Sequence, residues 1–179
     1  MGLINKAKWV SRIIPMRRYD ERKTTGEKIM THASAVLAFP PPDAADSAAW
    51  LARKLAYYAD AWDVAEDLAN GIEDIVVIDA RSPQAWRAGH ICGAINFPHR
   101  DMTPERLAQL DRTKVYVTYC DGIGCNGSTK AAWKLASAGL HVKELIGGLD
   151  FWRRDQHPVV EGDAPGEWPQ RTGRSDCGC

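Results

Sequence analysis

The sequence predicts an α/β domain in which a mostly parallel sheet is covered by helices. Short apolar runs alternate with segments of helical pattern, at the spacing expected of strand–helix units. The run IVVI at residues 75–78 is apolar and β-branched throughout, which is typical of a strand buried on both faces. A helix cap at Ser82 before Pro83 and a helix stop at Gly139 indicate that helices, not hairpin turns, connect the strands.

The charge and hydropathy pattern exclude two classes of partner. The chain has 179 residues with 23 basic and 23 acidic side chains, so its formal net charge is zero. We therefore expect no nucleic-acid partner held by charge. The sequence contains no apolar run near the roughly 18 residues that an integral membrane segment needs.

The cysteines indicate thiol chemistry rather than a disulfide scaffold. Five cysteines are present, an odd number, and the N-terminus lacks the continuous apolar stretch of a secretory signal. These features favour reduced thiols and a cytoplasmic location. The cysteines and histidines do not have the spacing of a zinc site, so we expect no metal and no other cofactor.

The chain divides into three regions by composition. Residues 1–45 form an N-terminal extension, expected to be helical and partly disordered, which ends in a triple-proline break. Residues 46–160 form the domain, with a leading helix at 46–62 and a core at 63–160. Residues 161–179, rich in glycine, proline and charge, form a C-terminal tail that we expect to be loose.

The leading helix is predicted to be amphipathic and to lie against the domain. Leu51, Leu55, Tyr58 and Trp62 recur at helical spacing on one face. The sequence DVAE at residues 63–66 has the capping-box pattern, so a second short helix should begin at Asp63 and end near residue 71.

The remaining elements follow in strand–helix order. Further strands are predicted at residues 94–97, 115–119 and 142–146, and further helices after Ser82, Thr103, Ser128 and Gly148.

The most informative feature is a cysteine placed where a strand ends and a helix is about to start. Cys120 closes the strand at 115–119, and three glycines follow before the helix that begins at Ser128. In open α/β sheets chemistry gathers at the carboxyl ends of strands. Glycine-rich backbone and a helix N-terminus can hold an anion and favour a thiolate nucleophile. The other interpretation is a small buried cysteine beside an ordinary turn.

Several ordered segments resemble the single-domain rhodanese-like sulfurtransferases. These are VVIDARSPQAWRAGHICGAINFP, VYVTYCDGIGCNGSTKAAWKLASAGLHVKELIGGLDFW and a closing HPV, which together cover about residues 63–160. The resemblance implies a three-layer domain with a central mostly parallel sheet flanked by helices. It also implies that Cys120 is catalytic: its thiolate accepts a sulfane sulfur, becomes a persulfide and passes the sulfur to a nucleophile.

The resemblance assigns the substrate site to the loop after Cys120. The donor would be a small anion, thiosulfate or polysulfide, or a protein persulfide, and the acceptor a protein or low-molecular-weight thiol. The loop is longer than the family's usual active loop and carries an acid but no basic residue, which should weaken binding of a dianion. The predicted substrate-binding residues are Asp121, Gly122, Ile123, Gly124, Cys125, Asn126, Gly127 and Ser128.

Phosphatases of the same fold are excluded by one position. They need an arginine six residues after the nucleophile, where paired donors grip a phosphoryl group. This chain has Asn126 there.

The other cysteines have open assignments. Cys125 is a candidate resolving thiol that could form a disulfide with Cys120, or it packs within a longer loop. Cys92 is interpreted as structural. Cys177 and Cys179 could relay sulfur or belong to a solvated tail.

Three polar residues are predicted to support the site. Asp79 and Arg81, at the end of the first strand, should tie loops beneath it by hydrogen bonds, and His90 should bridge backbone groups. Arg100, with His99, is the candidate for the cation that the loop lacks.

Three functions follow from these observations. The first is a sulfurtransferase or persulfide carrier that acts through Cys120. The second is a thiol-redox or oxidant-sensing protein that uses Cys120 with Cys125. The third is a non-catalytic module that keeps the fold for binding.

Overall fold

A computed structural model describes residues 34–169. The chain separates into two units, residues 1–40 and 41–179. The described part of the first unit contains one turn of 3-10 helix, Val36–Ala38. The predictions for the first 33 residues and for Cys177 and Cys179 lie outside the described residues.

Helices and strands alternate along the second unit. The helices are α1 (Ala44–Tyr57), α2 (Ala61–Ala69), α3 (Pro83–Arg87), α4 (Pro104–Leu107), α5 (Gly127–Ser137) and α6 (Gly148–Arg154). The strands are β1 (Tyr58–Ala59), β2 (Ile75–Asp79), β3 (His90–Ile91), β4 (Ile95–Asn96), β5 (Val115–Tyr119), β6 (His141–Leu145) and β7 (Val159–Val160).

Five strands form one parallel sheet in the order β1-β6-β5-β2-β4. The predicted α/β class with a mostly parallel central sheet is confirmed. β5 lies in the middle, where it pairs with β2 and β6 along its length. The small antiparallel pair β3–β7 was not predicted, because two-residue strands leave no periodic signal.

Two apolar layers cover the sheet. Val77 and Val117 face a cluster that includes Trp152 of α6, whereas Ile78 faces a cluster that includes Leu135 of α5. Successive side chains of a strand point to opposite faces, so an all-apolar strand supplies both layers. The arrangement is the expected three-layer domain with helices on each side.

The leading helix differs from its prediction. α1 ends at Tyr57, and Tyr58 enters edge strand β1, which pairs with β6. Within the described part of the chain none of the α1 side chains is buried, and Leu55 is 75% exposed. The predicted apolar face was wrong, because Leu51 and Leu55 stay exposed and the first helix ends before Tyr58, so that Trp62 belongs to α2.

The cap of the second helix also lies earlier than predicted. Asp60 caps α2 by accepting a hydrogen bond from the amide of Asp63 at 2.9 Å. Either aspartate has the right side chain, and the position of β1 decides between them. The predicted caps Ser82 and Thr103 are confirmed, and both accept from the amide three residues ahead.

Residues 161–169 pack on the domain, contrary to the expected loose tail. The indole of Trp86 donates to the carbonyl oxygen of Asp163, and the amide of Gly93 donates to that of Pro165 at 2.8 Å. The Trp168 side chain packs against the cluster that contains Trp152. Composition missed these contacts because they join the segment to α3 and β3, more than 70 residues away.

Candidate active site

Cys120 lies directly after β5, at the carboxyl end of the central strand. The residue is only 5% exposed, yet it lines a cleft of about 450 Å³. Arg81, Arg100 and Cys125 also line this cleft, which we call the donor cleft. The strand order therefore brings the predicted nucleophile to an opening beside two arginines.

Cys120 and Cys125 are joined by a disulfide, with their Cα atoms 6.3 Å apart. A tight turn makes the pairing possible, since the amide of Cys125 donates to the carbonyl oxygen of Gly122 at 3.0 Å. This turn folds the loop back over the strand end. In this form the Cys120 sulfur is bonded to the Cys125 sulfur, so Cys120 cannot act as a nucleophile until the bond is reduced.

Both sulfur atoms lie at the beginning of α5. A Cβ atom built on Gly127 would stand 2.9 Å from the Cys120 sulfur and 3.4 Å from the Cys125 sulfur. The first intrahelical bond runs from the amide of Lys130 to the carbonyl oxygen of Asn126, so the amides before Lys130 have no acceptor within the helix. The lack of a side chain at Gly127 lets the sulfurs approach the positive end of the helix.

The side chain of Ser128 is committed elsewhere. Its hydroxyl donates to Glu144 Oε1 at 2.6 Å, and the hydroxyl of Thr129 donates to the same oxygen at 2.8 Å. Glu144 thereby ties the start of α5 to β6. Of the predicted loop residues, Ser128 therefore supports the helix with its side chain.

The start of α6 holds the strand end in place. The amides of Leu149 and Asp150 donate to the carbonyl oxygens of Cys120 and Asp121, at 3.0 and 2.7 Å. Gly148 has a φ of +54°, and a Cβ there would collide with the Cys120 carbonyl oxygen. This role of α6 was not predicted from the sequence, although the Gly147-Gly148 pair could have indicated it.

A buried array of charged groups supports the loop from below. Arg81 donates from Nη2 to Asp79 Oδ2 at 2.6 Å and from Nη1 to Asp121 Oδ1 at 2.9 Å. Its Nη2 also donates to the Gly89 carbonyl oxygen, and the Tyr119 hydroxyl donates to Asp79 Oδ2 at 2.8 Å. Arg81 thus links the end of β2, the loop before β3 and the acidic residue of the active loop.

These contacts shift two pKa values. Burial alone would lower the pKa of Arg81, but the hydrogen bonds and charge of Asp79 outweigh burial and raise it. Burial, reinforced by the charge of Asp79, raises the pKa of the Tyr119 hydroxyl. The guanidinium therefore stays charged and the phenol neutral across the physiological range.

His90 connects backbone segments. Its Nδ1 lies 2.9 Å from the Trp86 carbonyl oxygen and its Nε2 lies 3.0 Å from that of Ala164. The imidazole stacks on the Trp86 ring with 3.3 Å between centroids. These contacts hold residues 161–169 against α3. His90 thus bridges backbone groups, which is the role that the sequence predicted for it.

A basic group flanks the donor cleft. His99 and Arg100 line it, and Lys134 donates to the His99 carbonyl oxygen at 2.7 Å. Partial burial, then the positive charges of Lys130, Arg100 and Lys134, lower the pKa of His99. Arg100, the candidate cation, therefore lines the cleft, whereas Lys130 and Lys134 do not line it.

Two other predicted thiol and metal features can be placed. Cys92 is fully buried, and burial followed by the charge of Glu167 raises the pKa of its thiol, which fits a structural residue. The donor atoms of Cys120, Asp121 and Cys125 lie within 4.8 Å of one another. Since the two sulfurs are bonded to each other, they do not offer a pair of thiolates to a metal.

The fold and the site define a class of protein: a parallel α/β domain that carries a cysteine at the end of its central strand. The family model described as rhodanese-like domain matches residues 64–155. The chain belongs to the rhodanese-like domain family.

Relatives and solved structures agree with this assignment. The chain is 37% identical over 89 residues to the HTH-type transcriptional regulator Rv0324 of Mycobacterium tuberculosis, a match covering 50% of this chain and 39% of that one. It is 34% identical over 87 residues to thiosulfate sulfurtransferase GlpE of Pseudomonas entomophila, covering 48% and 77%. The crystal structure of the BH2092 protein from Bacillus halodurans superposes with a TM-score of 0.64 at 39% identity, covering 68% and 88%.

The relatives support membership of a sulfurtransferase family. Among residues 34–169, the helices are all too short or too polar to cross a bilayer.

Proposed function

We propose that the chain is a sulfurtransferase or persulfide carrier in which Cys120 accepts a sulfane sulfur. One observation carries the proposal: Cys120 lies at the end of β5, over the start of α5, and lines the donor cleft. A thiolate in that position is stabilised by the helix N-terminus and can meet a small anion.

The chemistry requires a reduced Cys120. Its thiolate attacks the outer sulfur of thiosulfate, the sulfur–sulfur bond of the donor breaks, and sulfite leaves with the bonding pair. Cys120 then carries a persulfide. The amides at the start of α5 offset the negative charge of the donor and then of the persulfide.

The surrounding charges favour an anionic donor more than the loop sequence suggests. Asp121 is the acid that should repel a dianion, but its carboxylate is paired with Arg81. Arg100 lines the donor cleft, and Lys130 and Lys134 add positive charge near His99. Thiosulfate and polysulfide therefore remain the proposed small donors, with a thiol as the acceptor.

A single-turnover measurement tests the proposal. The fully reduced chain, freed of reductant and kept from oxygen, is mixed with one equivalent of thiosulfate, and sulfite is quantified. We expect one sulfite per chain, lost in Cys120→Ser. The double variant Cys177→Ser, Cys179→Ser should match the unmodified chain. A reduced chain that releases no sulfite and takes no sulfur from polysulfide would favour a binding module instead.

The disulfide favours one alternative, a thiol-redox or oxidant-sensing protein. In that case mild peroxide converts the reduced cysteines to the Cys120–Cys125 crosslink, and sulfane donors leave the chain unchanged. Intact mass after each treatment separates the two functions: a gain of one sulfur atom or release of sulfite belongs to sulfur transfer, and loss of two hydrogens under peroxide alone belongs to redox sensing.

A further inference from the structure

We infer that Cys125 resolves the persulfide on Cys120 and releases sulfide, so that the chain reduces sulfane sulfur instead of storing it. The inference rests on the proposed function, since it needs a persulfide on Cys120. It adds an activity, sulfide release, and names a dithiol as the second substrate.

The geometry of the loop places Cys125 beside the sulfur atom of the persulfide that it must attack. A persulfide has an inner sulfur, Cys120 Sγ, and an outer sulfur that came from the donor. The Cys125 sulfur is bonded to Cys120 Sγ in the structure, so it reaches the inner sulfur without a change of fold. Attack at that atom expels the outer sulfur, whereas transfer to another acceptor requires attack on the outer sulfur.

The atoms and electrons of the step balance without an oxidant. The Cys125 thiol loses its proton and its sulfur forms a bond with Cys120 Sγ. The bond between the inner and outer sulfur breaks, and the outer sulfur leaves with the electron pair as hydrosulfide, carrying the proton equivalent. The persulfide is reduced to sulfide and the two thiols are oxidised to the disulfide, which is the form that the structure contains.

The environment of the two sulfurs favours this internal reaction. Both lie over Gly127, so the start of α5 stabilises whichever sulfur carries negative charge. The turn from Gly122 to Cys125 holds the second thiol in place, which gives it a high effective concentration relative to any external acceptor. An internal thiol so placed should react before a diffusing nucleophile arrives.

A second cleft gives the disulfide a route to its reductant. This cleft, about 460 Å³, is lined by Cys125 and by residues of α6, including Phe151, but not by Cys120 or the arginines of the donor cleft. Ile123 at its rim is 77% exposed. A dithiol that attacks Cys125 from this side releases the Cys120 thiolate at the helix N-terminus, where a leaving thiolate is stabilised. The second thiol of the reagent then attacks the reagent sulfur of this mixed disulfide, which forms the oxidised dithiol and releases the free Cys125 thiol.

The net reaction is then thiosulfate plus a dithiol giving sulfite, hydrosulfide and the oxidised dithiol. The dithiol can be a small molecule or a protein with a paired-cysteine site. Dithiothreitol serves as the probe for this class.

The experiment follows both sulfur products in a single turnover. The fully reduced chain, with reductant removed under exclusion of oxygen, receives one equivalent of thiosulfate, and sulfite, sulfide and intact mass are measured. We expect one sulfite and one sulfide per chain, with a final mass two hydrogens below that of the reduced chain. Cys125→Ser should stop at the persulfide, with the mass of one added sulfur and with sulfide lost.

The outcomes separate this inference from the proposed function. If the unmodified chain releases sulfite but keeps the added sulfur, Cys125 does not resolve the persulfide and the inference is overturned while sulfur uptake stands. If no sulfite forms and the chain also takes no sulfur from polysulfide, the proposed function itself fails. Sulfide release that persists in Cys125→Ser and disappears in Cys177→Ser, Cys179→Ser would assign resolution to the tail and overturn the role of Cys125.

Discussion

Arg81 shows how a single side chain can organise the site without touching the sulfurs. It pairs with Asp79, whose side chain is fully buried, and with Asp121 in the active loop. A buried carboxylate that loses its partner keeps the cost of desolvation, about 3–5 kcal/mol for a broken buried pair. The position of the loop and the stability of the domain therefore depend on the same guanidinium.

We predict that Arg81→Met lowers the free energy of unfolding by about 3 kcal/mol, because Asp79 is left buried and unpaired. Urea unfolding followed by circular dichroism measures the change. Arg87→Met is the matched control, since its partner Asp163 and its own side chain are largely exposed and such pairs contribute about 0.5 kcal/mol. Equal losses for the two variants would contradict the role of the buried array.

Arg100 tests the charge of the donor cleft. We predict that Arg100→Gln raises the KM for thiosulfate about three- to tenfold, as expected for loss of about 1 kcal/mol of charge attraction, with a smaller change in kcat. Arg112→Gln makes the same charge change before β5, at the opposite end of the sheet. Steady-state sulfite release in the presence of dithiothreitol measures the KM of both variants. A similar rise in KM for Arg112→Gln would show that net charge, and not the position of Arg100, causes the effect.

His99 gives the domain a pH dependence of known sign. Partial burial and the positive neighbours lower its pKa in the folded state, while the unfolded chain has the ordinary value of about 6.5. As the pH falls below that value the unfolded state binds the proton first, so the free energy of unfolding falls.

We expect His99→Gln to reduce this loss of stability between about pH 7 and pH 5. Urea titrations at several pH values measure it, with His141→Gln, at the exposed start of β6, as the control. An unchanged pH profile in His99→Gln would contradict the assignment.

At the level of elements, the site depends on the junction of β5, α5 and α6. The start of α5 lies beneath the two sulfurs, and the first amides of α6 hold the carbonyl oxygens of Cys120 and Asp121. Neither helix could approach so closely with a side chain at Gly127 or Gly148. The two glycines are therefore needed because they leave room for these contacts, and Gly148 is also needed because its φ is positive.

Gly148→Ala separates these two effects when it is compared with Gly71→Ala. Both residues have positive φ, but a Cβ on Gly71 meets open space. We predict a loss of about 1 kcal/mol for Gly71→Ala from backbone strain alone. Gly148→Ala should cost a further 1–3 kcal/mol or so, from the collision with the backbone of Cys120. Thermal or urea unfolding compares them, and equal losses would show that the close approach carries no cost.

At the level of the whole molecule, residues 161–169 complete the domain. They bond to α3 and to the segment around β3, and Trp168 covers the cluster beneath α6. The same cluster contains Trp152, whose helix holds the active loop. The C-terminal segment is thereby connected to the site through packing.

We predict that Trp168→Ala lowers the free energy of unfolding by about 2–3 kcal/mol, since the half-buried ring leaves a cavity in this cluster. Trp133→Ala is the matched control, because Trp133 on α5 is 68% exposed and should change stability by about 0.5 kcal/mol or less. If both substitutions are neutral, residues 161–169 do not stabilise the domain.

Local sequence signals are enough to predict the fold class, the central strands and the place of Cys120 at a strand end. Each of these depends on local signals: β-branched runs, helix caps, and a cysteine followed by glycines. The resemblance to rhodanese-like sulfurtransferases rests on the same contiguous motifs. These patterns survive in the folded state because the central strands β2, β5 and β6 are each five residues long, enough to show a period.

The rest of the site depends on contacts between segments that lie far apart in the chain. The edge strand β1, the β3–β7 pair and the packed segment 161–169 depend on partners far along the chain. The pairing of Asp121 with Arg81 and of Cys125 with Cys120 changes what each residue can do. Charge and reactivity are set by neighbours in space, and one sequence shows neighbours only along the chain.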